Sequence, residues 1–144
     1  MTNTRRALRI QISQPAAIVA LGQPDVNLHP SLAEVYERVE AARQRVGDRL
    51  PGVLRDLSTN GAFVAAEPLP LLSRVSLNFE LEDHGSVEAL GWVLWRRTGD
   101  CTLPRDDGSS VLLPRGFGVL FEAIPLEARL IIQRMVERAA AISA

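Results

Sequence analysis

Arg74-Val75-Ser76-Leu77-Asn78-Phe79-Glu80-Leu81 sets apolar residues at 75, 77, 79 and 81 against polar residues at 74, 76, 78 and 80. Successive side chains of a strand point to opposite faces, so this alternation predicts a strand with one face buried and one in water. The signal recurs on both sides in short pieces. Gly52 to Asp56 and Ala62 to Ala65 flank the turn Asp56-Leu57-Ser58-Thr59-Asn60-Gly61. Glu67-Pro68-Leu69-Pro70 breaks the pattern, and Asp83-His84-Gly85 reads as a hairpin tip. Val87 to Arg97, containing Gly91-Trp92-Val93-Leu94-Trp95, predicts another strand. Gly116 to Phe121 predicts the last, with Phe117, Val119 and Phe121 on one face. Between them, residues 98–114 carry Pro104, Asp106, Asp107, Gly108, Ser109 and Ser110 and predict a long hairpin loop. Upstream, Leu8 to Ile12 and Ala16 to Leu21 predict a strand pair interrupted by Pro15. Many short antiparallel strands with turn punctuation indicate a sandwich or a small closed barrel.

Two segments carry a helical period instead. After a loop from Gln23 to Pro30, Ser31 followed by Glu34 fits a capping box, and a helix is expected to about Val46, stopping at Gly47. Its apolar positions Leu32, Val35, Val39, Ala42 and Val46 are spaced three, four, three and four. That stripe suits a helix docked on its own barrel better than a seam between two chains, since about two heptads make a marginal coiled coil, although both kinds of interface share such a stripe. Leu126 to Ile142, behind Pro125, predicts a second helix.

At 144 residues the chain suits one domain, able to bury roughly two-thirds of its unfolded surface. Hydrophobic residues at 47% and charged residues at 23% are a globular balance. The net charge of −1 argues against broad attraction to DNA or anionic membranes, so any anion site must be a local cluster. Cys101 is the only cysteine, which excludes an intramolecular disulfide. No apolar run spans a bilayer and residues 1–14 lack a signal-peptide core, so a cytoplasmic location without membrane insertion is expected. His29 and His84 stand apart without cysteine partners, which argues against zinc. Gly116-x-Gly118 lacks a third glycine, and a chain without lysine has no Gly-Lys-Ser phosphate loop. No nucleophile elbow occurs, and no enzyme is expected.

Two motifs remain. Arg5-Arg6-Ala7-Leu8-Arg9 places Arg5 and Arg9 four residues apart, close to a polar, basic stretch at residues 1–6 that reads as a mobile leader. In extended chain the two share one side, about 13 Å apart, and Arg6 faces away. Arginine forks clamp phosphates and the acceptor edge of guanine. The Asp56–Gly61 turn puts a carboxylate, a hydroxyl and a glycine together. Alone this is ordinary hairpin chemistry, but a carboxylate also takes the N–H donors of guanine.

Together, on a chain patterned as a barrel, these motifs resemble the PilZ family, which binds the bacterial second messenger cyclic di-GMP. The turn matches the family pattern of Asp or Asn, any residue, Ser, any two, Gly. Asn60 stands where members often carry a second glycine, and Asn best tolerates left-handed backbone among the alternatives. Gly91-x-Val93-x-Trp95 and Gly116-x-Gly118-Val119-x-Phe121 look like the later barrel strands. The resemblance covers roughly residues 5–22 and 50–124. It implies a mainly β fold, a small six-stranded antiparallel barrel with a helix inserted at about 31–46 and a C-terminal helix at about 126–142. It also implies ligand contacts from Arg5, Arg9, Asp56, Ser58 and Gly61, with Arg6, Asn60 and Trp95 as further candidates. Trp92 and Trp95 are expected on opposite faces, one of them near the binding rim, with a core role favoured for both. Cyclic di-GMP would be a ligand and not a cofactor. With no second domain legible here, its signal is expected to pass in trans to a protein effector. The rival is a PilZ-fold interaction or oligomerisation module that works through its helices without nucleotide. If the 31–46 stripe is a seam, Val35→Glu with Val39→Glu lowers the sedimenting mass; an unchanged mass and fold exclude the seam.

Overall fold

A computed structural model describes residues 9–22 and 47–143. Among these residues the elements are β1 (Arg9–Gly22), β2 (Arg49–Ser58), β3 (Gly61–Ala65), β4 (Arg74–Leu81), β5 (Gly85–Arg97), β6 (Cys101–Pro104), β7 (Ser110–Leu113), β8 (Gly116–Ala123) and α1 (Leu126–Ser143). Six strands close a barrel in the order β1-β2-β3-β8-β5-β4, every pair antiparallel. The six-stranded antiparallel barrel and C-terminal helix agree with the sequence reading. The leader, the loop from Gln23 to Pro30 and the helix at 31–46 lie outside the described residues.

Two details differ from expectation. The strand pair around Pro15 is one strand, β1. Pro15 lies one residue before pairing with β4 begins at Ala16, and beside a register shift between Gln11 and Gln14. A residue without an N–H is tolerated at such a bulged, one-sided position. The 98–114 loop is likewise not structureless. β6 and β7 pair as a separate two-stranded ribbon, closed at its tip by Arg105 N–H to Ser109 O at 2.8 Å. In that tip Ser109 donates from its hydroxyl and, to lesser effect, from its backbone N–H to Asp107 Oδ1, which holds the exposed carboxyl below its ordinary pKa.

The core follows from the alternation. Val75, Leu77, Phe79 and Leu81 are all buried, as are Phe117, Val119 and Phe121. Ile18, Leu54, Leu57, Val64, Val87 and Val93 complete the interior. The bond from Arg129 N–H to the Pro125 carbonyl starts α1 at 3.0 Å. Ala128, Ile132 and Val136, spaced by four, then bury one stripe of the helix against β1 and β2.

Truncating Ile132, which is 0% exposed, to alanine is expected to cost about 2–5 kcal/mol by urea unfolding. Leu130→Ala, on the outer side of α1, should stay within about 0.5 kcal/mol.

Candidate functional site

The turn between β2 and β3 is held from three directions. Ser58 Oγ accepts from the N–H groups of Asn60 and Gly61, each at 3.2 Å, and donates to Gly61 O at 3.3 Å. The Asn60 carbonyl accepts from Phe121 N–H of β8 at 2.7 Å. Gly61 faces Leu120 of β8, and a Cβ there would overlap the Val119 carbonyl oxygen. Gly61 therefore serves the close approach of two strands. Asn60 does not use left-handed backbone: among the described non-glycine residues only Leu72 and Asp83 have positive φ.

Bulges decide what faces the cleft beside this turn. Leu54 pairs with Val64 and Asp56 with Phe63, so Arg55 is an extra residue in β2. Leu54 and Leu57, three apart, can then both be fully buried, while Asp56 shares the outer face with Phe63. A second bulge lies in β5. Val93 pairs with Val119 and Trp95 with Gly118, skipping Leu94. Val93 is fixed on its other side by the turn before β4, accepting from Leu72 N–H at 2.7 Å and donating to Ser73 O at 2.9 Å. Leu72 adopts φ 64° there, a conformation few non-glycine residues tolerate.

The β5 bulge corrects the tryptophan reading. Trp92 pairs with Leu120 and Trp95 with Gly118, both on the outer face of β8, so the two indoles share a face. Neither is core: Trp92 is half-buried and Trp95 is 45% exposed. Period two fails at the extra residue Leu94. Trp92 packs beneath Arg74, whose guanidinium carbon is 5.7 Å from the ring and which pairs with Glu122 through two bonds of 2.8 and 3.0 Å.

The outcome is a cross-strand row, Gln11, Asp56, Phe63, Gly118 and Trp95, running over β1, β2, β3, β8 and β5. Residues paired across strands project to one face, so the row collects side chains far apart in sequence. Arg9 lies opposite Ser58 on the same side. A cleft of about 250 Å³ opens here, lined by Arg9, Asp56, Ser58, Asn60, Gly61 and Trp95 together with Leu94, Leu120 and Gly118. Every candidate residue among those described is thus in one place; Arg5 and Arg6 lie outside the described residues. The carboxylate of Asp56 and the guanidinium of Arg9 have no hydrogen-bond partner among the described residues. The cleft can offer a cation and an anion to a ligand, beside an apolar wall made by Leu94, Trp95 and Leu120, each at least 45% exposed.

Sequence reasoning did not single out Phe63, Leu94, Gly118 or Leu120 for this site. Gly118 was visible only as part of a strand motif; its reason is spatial, because a Cβ there would overlap the indole of Trp95. Among the described residues no group of three or more His, Cys, Asp or Glu could hold a metal ion, and no helix is long and apolar enough to cross a membrane.

The described residues thus form a closed barrel with a mixed polar and aromatic cleft on its outer face. A model of the PilZ domain matches residues 35–138, and the chain belongs to that family. The matched segment includes the Asp56–Gly61 turn but not β1 with Arg9. Among solved structures the chain is similar to the PilZ domain with c-di-GMP of YcgR from Escherichia coli, with a TM-score of 0.53 and 15% identity over 98% of this chain and 97% of that one. At that identity the likeness is one of fold. No curated protein matches.

Gly118→Ala is expected to drive Trp95 off Phe63, changing the near-ultraviolet circular dichroism and costing about 1–3 kcal/mol of stability. Gly99→Ala, where an added Cβ meets nothing within 4 Å, should change neither.

Proposed function

We propose that this chain is a receptor for cyclic di-GMP, bound in the cleft beside the β2–β3 turn. The observation that carries the reading is the convergence of Arg9, Asp56 and Ser58 from two strands beside the exposed indole of Trp95. Membership in the PilZ family and the ligand carried by the similar YcgR domain support it. In this reading Arg9 clamps a phosphate or the acceptor edge of a guanine. Asp56 takes guanine N–H donors, for which a carboxylate is the matched acceptor. Ser58 contributes less than a free hydroxyl would, because it already closes its own turn. Gly61 and Asn60 supply a rigid backbone rim. Arg5 is proposed as the second clamp and Arg6 as a weaker contact. Binding changes the surface around the cleft, and the signal passes in trans to a protein effector.

A second reading has one observation in its favour. Leu126 and Leu130 are 67% and 48% exposed on α1, as suits a module acting through helix contacts without nucleotide.

Calorimetric titration with cyclic di-GMP separates the two. Charge-assisted bonds contribute about 1.5–3 kcal/mol each, so Arg9→Ala and Asp56→Ala should each weaken binding about tenfold or more. Saturable heat that both substitutions diminish supports the receptor. No heat and no thermal shift at high ligand would refute it and favour the helix-mediated module.

A further inference from the structure

Phe63 faces outward from the barrel yet is only 6% exposed. Its cover is a stack. The Trp95 ring lies 5.1 Å from it and 14° from parallel. The guanidinium carbon of Arg97 sits 5.1 Å from the Phe63 centroid and 5.5 Å from that of Trp95. Arg97 is itself fixed, donating from Nη1 to the Pro114 carbonyl at 2.7 Å. Two glycines make the stack sterically feasible. A Cβ at Gly118 would overlap the indole, and one at Gly116 would come within 2.9 Å of the Phe63 ring. What remains exposed of Trp95 borders the cleft that also holds Arg9 and Asp56.

We propose that Arg97 is a positioning residue: anchored on Pro114, it pins Phe63 and Trp95 into a rigid stack whose open indole face is a preformed platform for a purine base. This deepens, and rests on, the receptor reading of the same cleft. An indole on a barrel surface would otherwise sample several rotamers, and a ligand stacking on it would have to freeze them. A cation over both rings fixes the indole before the ligand arrives. Leu94 and Leu120 line the same cleft and would keep water from a stacked base, and Asp56, also in the lining, offers an acceptor for the base's donors.

The test uses Trp92→Phe as background, leaving Trp95 as the single tryptophan reporter outside the Arg74 contact. Cyclic di-GMP, GMP and ribose 5-phosphate are titrated by fluorescence, with near-ultraviolet circular dichroism of the ligand-free protein. Both nucleotides should quench Trp95, GMP at higher concentration, and ribose 5-phosphate should not. Trp95→Ala should lose about 5- to 150-fold in affinity for cyclic di-GMP, the range of base–aromatic stacking. Arg97→Gln keeps a donor for Pro114 but removes the cation; it should flatten the Trp95 dichroism and weaken binding about fivefold. Arg97→Lys, which retains a cation, should recover most of both. Phe63→Leu gives a second route to the same loss of indole order if an Arg97 variant misfolds. Quenching by GMP without any response to cyclic di-GMP would refute the receptor reading and leave the platform standing. No quenching by either nucleotide would overturn the platform. An Arg97→Gln protein with unchanged dichroism and affinity, or equal loss of both in the Gln and Lys variants with equally lowered melting, would overturn the positioning role.

Discussion

Closing six strands into a barrel forces its long strands to bend, and the bends are extra residues. β1 shifts register between Gln11 and Gln14, β2 between Leu54 and Asp56, and β5 between Val93 and Trp95. In β2 the extra residue keeps Leu54 and Leu57, three apart, in one interior. The same insertions turn Asp56 and Trp95 outward. The cleft is therefore a by-product of closure: the device that lets the core pack also presents the polar and aromatic groups beside it.

Space at the outer face is made by what is missing. Gly61, Gly116 and Gly118 lie on β3 and β8, and a methyl group at any of them would meet a neighbouring backbone or ring. Their absence of side chain brings β3 close to β8 and allows Trp95 to lie over Phe63. An outward phenylalanine is thereby buried without help from the interior. The turn beside it is equally constrained, since Ser58 satisfies two N–H groups and Asn60 ties the loop to β8. A rim so fixed loses little conformational entropy when a ligand settles on it.

Much of this could be read in the residues. The alternation from Val75 to Leu81 and from Phe117 to Phe121 matched the buried faces, and Pro125 marked the start of α1. Arg9 and the Asp56–Gly61 turn, 47 positions apart at their nearest, were paired by their chemistry and by the family pattern, and they share one cleft. The tryptophans were misread because strict period two assumes an unbroken strand, and nothing in Trp92-Val93-Leu94-Trp95 announces an extra residue. Pro15 likewise suggested a break where β1 runs through, because its tolerance depends on which neighbours pair beside it. The ribbon of β6 and β7 hid behind Asp, Gly and Ser residues that belong to its tip.

The sequence by itself determined the class of fold, the faces of its regular strands, and the polar chemistry available to a ligand, because these depend on residue type and short-range period. Only the tertiary structure decided the register: which strand neighbours which, where a residue is skipped, and so which side chains form a row. The stack of Phe63, Trp95 and Arg97 over Gly118 exists because β3, β8 and β5 lie side by side at one register. That arrangement follows from long-range pairing and steric closure, which no local pattern encodes.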